Sequence, residues 1–559
     1  MVSTGTLSFV NGSPTLSGQY SGFDTNAIIE ASLLAKRLPA VRLESTIEKN
    51  DLKAKAYSEL SSLLAKLQTA SSSLRGPTGS LGANSNIFET KAAFLTSGNT
   101  NVATSLVGVS AQNTAAAGVY DLEILRIAKA NKISSGTVTD AAAAQGVTDT
   151  ITIGVAGGAT KDVTITPGSS LNDIAAAINA VKGDTKVRAA VIKVADNDFR
   201  LVLTAEETGK AITLSGVSGE FLTAYGNGAS LSELEPAQTA QIKLDGIATV
   251  IERTSNEVTD VLDGVTFQLY KADVGNQIKV EIQNNLGSVK EKIAEFVQAY
   301  NDLRDLVTTQ RDYDPASSTS SKPILFGDDI LRGVEQKLFG NISAGAFGLS
   351  NTVLSTFGAV GISVDGSNKL KIDDAKLDDA LLTKLDEVRN VFEFGFTSDS
   401  QELRILARTR AVNVDNFELN ITVDGSGTIT GASVTGEGNV FDVSGNTLTG
   451  KVGTAYEGFK LVYTGTASTS IQVQTSLGIA ESIYQTLEEY VAPSGLIASK
   501  LSDLTASNTS LNEKIVAIDS RLSVYRLFLL DKYSRLEQSL AQADAMKRQL
   551  EAAANAQKS

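Results

Sequence analysis

The sequence predicts an α+β multidomain fold: a discontinuous helical leg or bundle formed by both chain ends, with β-rich lobes inserted between them. Three observations predict it. Apolar residues recur at helical spacing near both termini, they recur at strand spacing through the middle, and the two periods occupy separate stretches. At 559 residues the chain exceeds what one core organises, so three or more domains are expected.

Residues 1–22 are Ser, Gly and Thr with scattered apolar positions, and read as a mobile arm. Asp24 is placed to cap a short helix through Leu38, with Ala27, Ala31, Leu34 and Leu38 at 4-3-4 spacing and Pro39 ending or kinking it. Ser45 and Glu48 have capping-box spacing for a second helix. That helix carries Tyr57, Leu60, Leu64, Leu67 and Leu74 and stops at Arg75-Gly76-Pro77.

From about residue 88 the period changes. Tyr120, Leu122 and Ile124 alternate with Asp121 and Glu123, as in a half-buried strand. Asp245-Gly246 marks a hairpin, because both residues tolerate the positive φ of a tight turn. Val265, Phe267 and Leu269 form another alternating set, and Ile278, Val280 and Ile282 one more. The stretch 135–235 is richer in Ala, Gly and Thr and holds one helix, Ser170 to Val181, ended by Gly183.

Ser288 and Glu291 make a second capping box, followed by Val289, Ile293, Phe296, Tyr300 and Leu303 at 4-3-4-3 spacing, a stripe read as intramolecular core. Residues 312–323 are a Pro/Ser-rich loop. Helical fragments continue to about 395, interrupted by a strand-like Gly361-Ile362-Ser363-Val364, and 405–475 returns to strand and turn chemistry. The last helix carries Leu511, Ile515, Ile518, Leu522, Tyr525 and Leu529, then after one extra step Tyr533, Leu536, Leu540, Ala543, Met546 and Leu550. So narrow a stripe needs a partner helix, and the spacing leaves open whether that partner lies in the same chain or another.

The resulting division has five parts. A terminal helical leg takes 1–45 and 520–559, as a coiled coil expected to be mobile when isolated. A helical body takes 46–87, 285–404 and 476–519. An inner β lobe takes 88–134 and 236–284, an outer β lobe 135–235, and an extra β insertion 405–475.

Composition narrows the chemistry. The chain has no His, no Cys and no Trp, which excludes Ser-His and Cys-His catalysis and His-ligated metals. Adjacent carboxylates occur at Asp328-Asp329, Asp373-Asp374, Asp378-Asp379 and Glu488-Glu489, each in or beside a helical pattern, where caps and solvated faces explain them. A formal charge of −14 argues against nucleic acid, and no window supports membrane insertion. The start of the chain lacks a charged segment followed by an apolar run, so no Sec-type signal peptide is expected.

Several segments resemble the family of bacterial flagellar filament-capping proteins, the FliD type of hook-associated protein (flagellar hook-associated protein 2). The stretch from Ser21-Gly22-Phe23-Asp24 through Ile28, Leu33, Leu34 and Arg37-Leu38-Pro39 is similar to that family's opening helix. Gly118-Val119-Tyr120-Asp121-Leu122-Glu123-Ile124-Leu125 is similar to a strand motif shared by flagellins and hook-associated proteins. More specific are Ile242-Lys243-Leu244-Asp245-Gly246, the run Arg253 to Phe267 with Asn256, Val258, Asp260, Leu262 and Gly264, and Phe296 to Leu303 with Tyr300-Asn301. Gly361 to Asp365 and Leu370 to Asp373 match as well, whereas 405–475 is a lobe that shorter members lack.

The resemblance implies a structural cap at the distal end of the filament, not an enzyme, which promotes insertion and polymerisation of exported flagellin and prevents its leakage. It implies flagellin and a ring of self copies, often a pentamer, as partners. It also implies a flagellar export chaperone on the C-terminal helix and hook–filament junction proteins as neighbours. Location would be extracellular, at the flagellum tip, after export through the flagellar type III apparatus without a cleaved signal. No cofactor or metal is expected. Contacts to partners fall on the leg helices, at Ile28, Leu33, Leu34, Leu527, Leu530, Leu536, Leu540, Met546 and Leu550. Alternative readings are another axial flagellar protein (a junction protein or flagellin), or a surface adhesin or glycosidase using carboxylates in its β lobes; an adhesive role could coexist with capping.

Overall fold

Both ends of the chain fall in one unit, Met1–Arg75 with Glu291–Ser559, and the residues Gly76–Lys290 between them form another. The computed structural model describes residues 6–10, 13–17, 20–79, 86–226, 230–313, 322–349, 354–409 and 414–556.

Among the described residues the five longest helices of the first unit are α1 (Thr25–Leu74), α2 (Leu286–Arg311), α3 (Asp329–Ala344), α4 (Ile479–Val491) and α5 (Leu496–Ala556). Asp24 caps α1 as its position predicts, its side chain accepting from the Ala27 N–H at 3.0 Å. The helix does not end at Pro39. It runs through as one element of 50 residues, so the Ser45/Glu48 pair lies mid-helix and caps nothing. Pro39 removes one backbone hydrogen bond, and α5 accompanies the helix past it, meeting Arg37 on one side and Asn50 on the other.

Towards its end α1 turns Tyr57, Leu60, Leu64, Leu67, Ser71 and Leu74 inward at 3-4-3-4-3 spacing, all fully buried. α4 lies against this face and against α3, contributing Ile479, Ile483, Leu487 and Tyr490. The stripe Val289, Ile293, Phe296, Tyr300 and Leu303 of α2 is buried within the chain, with Phe296 meeting Phe357 edge-on. Its helix starts earlier than the Ser288/Glu291 box predicts. Asn285 supplies the cap instead, accepting from the Ser288 N–H at 3.1 Å.

The stretch 1–22, read as a mobile arm, holds two strands among its described residues. Thr6–Val10 and Ser13–Ser17 pair as an antiparallel ribbon, Thr6 opposite Ser17 and Val10 opposite Ser13, beside α5. Alternation of small polar and apolar residues suffices for two short strands once a helix lies alongside. The loop at 312–323 lies largely outside the described residues.

The extra lobe of this unit has eight strands in two antiparallel sheets. One orders Phe394–Ser398, Thr469–Leu477, Asn416–Val423 and Ile429–Val434; the other orders Leu403–Arg408, Phe459–Tyr463, Thr447–Gly450 and Phe441–Ser444. Phe417, Leu419, Tyr456, Phe459, Leu461 and Ile471 fill its core. The strands begin at Phe394 and end at Leu477, on both sides of the span read from turn chemistry.

The second unit holds two separate cores. One lies between a five-stranded sheet (Ile251–Arg253, Ala240–Leu244, Gly118–Arg126, Ile278–Asn284, Lys91–Ser97) and a three-stranded one (Glu257–Leu262, Val265–Leu269, Val107–Ala111), around Leu122, Ile124, Phe267 and Val280. Its hairpin turn places Asp245 at φ 51° and Gly246 at φ 67°, the positive pair that Asp-Gly accepts. The other core gathers Ile153, Ile165, Leu171, Ile178, Leu203 and Phe221 under the helix Leu171–Ala180. Ser170 and Asp173 cap that helix reciprocally. Gly183 does not end it; a short turn of helix, Lys182–Thr185, follows, and Lys186 in the left-handed region stops the chain there.

Candidate interaction surface

The two terminal helices, α1 and α5, lie antiparallel and are joined by polar rungs. Glu30 meets Arg526. Arg37 donates from Nε to Asp519 Oδ1 at 3.0 Å and from Nη2 to Glu44 Oε1 at 2.8 Å, straddling Pro39. Asn50 Nδ2 donates to Asn508 Oδ1 at 2.8 Å, and the Lys36 ammonium sits 4.9 Å from the centre of the Tyr525 ring. Each rung is solvent-accessible and worth about 0–1 kcal/mol, so register rather than strength is what the series supplies.

Apolar residues between the rungs divide into two faces. Ile29 and Ala40 of α1, with Ile515 and Leu529 of α5, are buried inside the pair, and Leu33, Ile518, Leu522 and Tyr525 are half-buried there. The seam read first from the sequence, Ala27, Ala31, Leu34 and Leu38, turns the other way. Leu34 is 65% exposed and Leu38 53%. On α5 the outward residues are Val516, Val524, Leu527 and Phe528.

Of the nine residues expected to meet partners, Leu33, Leu530 and Leu540 are half-buried and the other six are exposed: Ile28, Leu34, Leu527, Leu536, Met546 and Leu550. Leu536 does not continue the inner stripe of α5. Glu537 takes that place, buried, and accepts from the Tyr20 N–H at 3.0 Å and from the Ser21 hydroxyl. The entry to α1 needs an acceptor for those two donors, and a leucine could not supply one.

The chain also holds a buried ionic joint that spacing alone did not disclose. The Glu481 carboxylate on α4 has no exposed surface. Arg75 at the end of α1 reaches it from Nε at 2.6 Å, and Arg408 of the extra lobe from Nη1 at 2.7 Å. Gln485 donates a third contact at 2.5 Å, and the Arg75 guanidinium lies 3.7 Å from the Tyr484 ring centre. Burial pushes the Glu481 carboxyl up, but Arg408 and Arg75 together outweigh it and hold the group below its ordinary range. The available signal was a glutamate amid Ile479, Ala480 and Ile483, on a helix face otherwise fully apolar.

Three of the four adjacent carboxylate pairs have structural roles. Asp328 caps α3 and accepts from the buried Tyr57 hydroxyl; Asp373 caps the helix Asp374–Thr383; Glu488 accepts from Gln68 at 2.6 Å and Glu489 pairs with Lys337. Among the described residues no group of three His, Cys, Asp or Glu could hold a metal ion, and no helix is long and apolar enough to cross a membrane.

Comparison with known proteins gives a consistent picture. Residues 237–545 match the family model described as flagellar hook-associated protein 2 C-terminus, residues 21–131 its N-terminus, and residues 150–207 the flagellin hook IN motif. The chain is 30% identical to the flagellar hook-associated protein 2 of Escherichia coli K12 over 387 residues, covering 65% of this chain and 77% of that one. It is 26% identical to the A-type flagellar hook-associated protein 2 of Pseudomonas aeruginosa, covering 68% and 80%. The fold is similar to the crystallised D1-D2-D3 domains of the Escherichia coli flagellar cap protein FliD, with a TM-score of 0.51 and 22% identity over 80% of this chain and 99% of that one.

Proposed function

The chain belongs to the flagellar hook-associated protein 2 family, and on that premise we propose that it caps the distal end of the bacterial flagellar filament. It acts there outside the cell, promoting insertion and polymerisation of exported flagellin and preventing its loss. The observation that carries this reading is the pair of terminal helices: held in register by polar rungs, they present leucines and a phenylalanine to solvent. An apolar face of that length on a monomer marks a protein partner.

The work is mechanical and needs no reacting group. Copies of the chain associate in a ring, probed first as a pentamer. The terminal leg (1–45 with 520–559) stands among flagellin subunits, and the β lobes (88–134 with 236–284, 135–235, and 405–475) make the plate. Segments 46–87, 285–404 and 476–519 make the helical body. Ile28, Leu33, Leu34, Leu527, Leu530, Leu536, Leu540, Met546 and Leu550 make the leg's contacts with other subunits. The exposed stretch of α5 past Glu537 is covered by an export chaperone before secretion, and hook–filament junction proteins are the cap's neighbours before the filament grows.

A wide set of weak apolar contacts suits a cap that must hold and then shift. A fully buried leucine is worth about 1.5–3 kcal/mol, and a half-covered one in a moving interface less. The test is a strain carrying Leu536→Asp or lacking the last thirty residues. Lost swimming with monomeric flagellin in the medium is expected; normal motility and no leaked flagellin would refute the reading.

A further inference from the structure

The outward faces of the leg helices are complementary to each other, and on the reading that copies assemble in a ring this assigns them a first occupant. We infer that in the free cap the outer strip of α1 (Ala27, Ala31, Leu34, Leu38, Val41) is covered by the outer strip of α5 (Val516, Val524, Leu527, Phe528) of the neighbouring copy.

Four observations carry this. The first is charge. Between Thr25 and Val41 the charged residues of α1 are Glu30, Lys36 and Arg37, and all three are committed to α5 of the same chain: Glu30 to Arg526, Lys36 to the Tyr525 ring, Arg37 to Asp519. The outer strip is left free of charge over about four helical turns. On α5 the matching stretch is treated alike. Asp519 and Arg526 are engaged by α1, and Arg521 folds back onto the Ala517 carbonyl of its own helix at 3.1 Å.

The second is direction. Leu34 and Leu38 stand roughly half a turn around α1 from Ile29 and Ala40, and Val516, Val524 and Leu527 roughly half a turn around α5 from Ile515, Leu522 and Leu529. The two strips therefore occupy opposite sides of the helix pair. One copy cannot join them, and a twofold pairing would match each strip to itself. Head-to-tail contact, the kind that closes a ring, joins one to the other.

The third is height. A closed ring has no rise along its axis, so only residues at equal level can meet. The intrachain rungs, 30 with 526, 37 with 519 and 50 with 508, fix those levels. They set Ile28 level with Phe528, and bring Val41 within one residue of the level of Val516 and Leu34 within two residues of the level of Val524, about 3 Å along the axis.

The fourth is polarity at the end of the strip. Beyond Val41 both helices turn charged at the same level, with exposed Arg42 on α1 and exposed Glu513 and Lys514 on α5, so the two uncharged strips end together.

An uncharged strip of this size, uncovered in water, invites aggregation; mutual cover gives the free cap a soluble state from which incoming subunits displace it.

Absence of cysteine makes the test clean. In the double variant Leu34→Cys/Val524→Cys of the full chain, the two thiols of one copy are separated by both helices, roughly 20 Å, too far for an internal disulfide. Mild oxidation of assembled particles is expected to yield a covalent ladder rising to the closed ring, while each single variant stays uncrosslinked. Dimers from Leu34→Cys alone would mean strip-to-like-strip pairing and overturn the assignment. Free thiols in particles that electron microscopy shows as rings would overturn it while leaving the ring intact. A chain that stays monomeric by sedimentation would remove the ring reading and the assignment together.

Discussion

Two stretches of α1 use the same alphabet in opposite ways. From Tyr57 to Leu74 the helix puts its leucines inward against α4 and leaves its polar residues outside. From Thr25 to Val41 it turns its charges toward α5 and two of its leucines, Leu34 and Leu38, out. The root is held by a wide apolar face, the tip by a narrow apolar seam (Ile29, Ala40, Ile515, Leu529) with polar rungs that set register. Both halves show heptad-like stripes, so periodicity finds the stripe without saying which side is the inside. That depends on what else the chain offers: α4 brings Ile483 and Leu487 to the root, while α5 brings Asp519 and Arg526 to the tip.

The largest effect that would sharpen this contrast is expected at the end of the root, in the Arg75–Glu481–Arg408 joint. Replacing Glu481 with Leu leaves two guanidiniums buried without their counter-charge and should cost about 3–5 kcal/mol. Substituting all three by apolar residues of similar volume should restore most of that, since a buried triad contributes geometry more than stability. Urea unfolding of the three proteins measures both. The same joint gives a pH signature. The folded carboxyl of Glu481 titrates below its unfolded value, so its stabilising contribution is complete above the unfolded carboxylate range, roughly pH 4.3, and is lost as pH falls through the folded value. Glu481→Gln should flatten the acid limb of stability; an unchanged limb would show that other carboxylates set it.

Next in size is the root's apolar face. Leu64 is fully buried, and Leu64→Ala should cost about 2–5 kcal/mol by lost transfer energy and the cavity left behind. The rungs of the tip come lower. Arg37→Ala removes contacts to Asp519 and Glu44 in solvent and should cost little, with the loss shrinking further in high salt. A larger, salt-independent loss would mean that the bridge across Pro39 holds the helix straight, beyond setting register.

What the sequence made legible follows the range of the interaction. Asp24, Asp245-Gly246 and Ser170 with Asp173 act on neighbours two to four residues away, and their roles were readable directly. The α+β architecture was readable too, because strand and helix periods occupy separate stretches. Local signals failed where a distant element overrode them. Ser45 lost its cap role because α5 carries α1 through Pro39, and Ser288 lost its own to Asn285 because the helix starts one turn earlier. The joint at Glu481 was out of reach, since its partners lie 406 residues away at Arg75 and in a lobe whose pairing had no fixed register in the sequence. The leg residues were only half legible: spacing identified Leu34 and Leu536 as members of apolar stripes, and their outward direction needed the partner helix.

The smallest expected effect on stability separates the two stretches most sharply. Leu34→Ala and Leu527→Ala truncate exposed side chains, so the folded monomer should change by no more than about 0.5 kcal/mol, against several at Leu64. If the tip is an interface and the root is a fold, these near-silent changes must still weaken assembly, because each removes a side chain that is buried only between copies or subunits. Thermal unfolding and particle formation measured on the same preparations give the two numbers. A Leu34→Ala protein that melts like the parent and assembles like it would place the strip outside any interface. One that melts several degrees lower would show that the outward leucines support the helix pair itself, and the distinction between root and tip would fall.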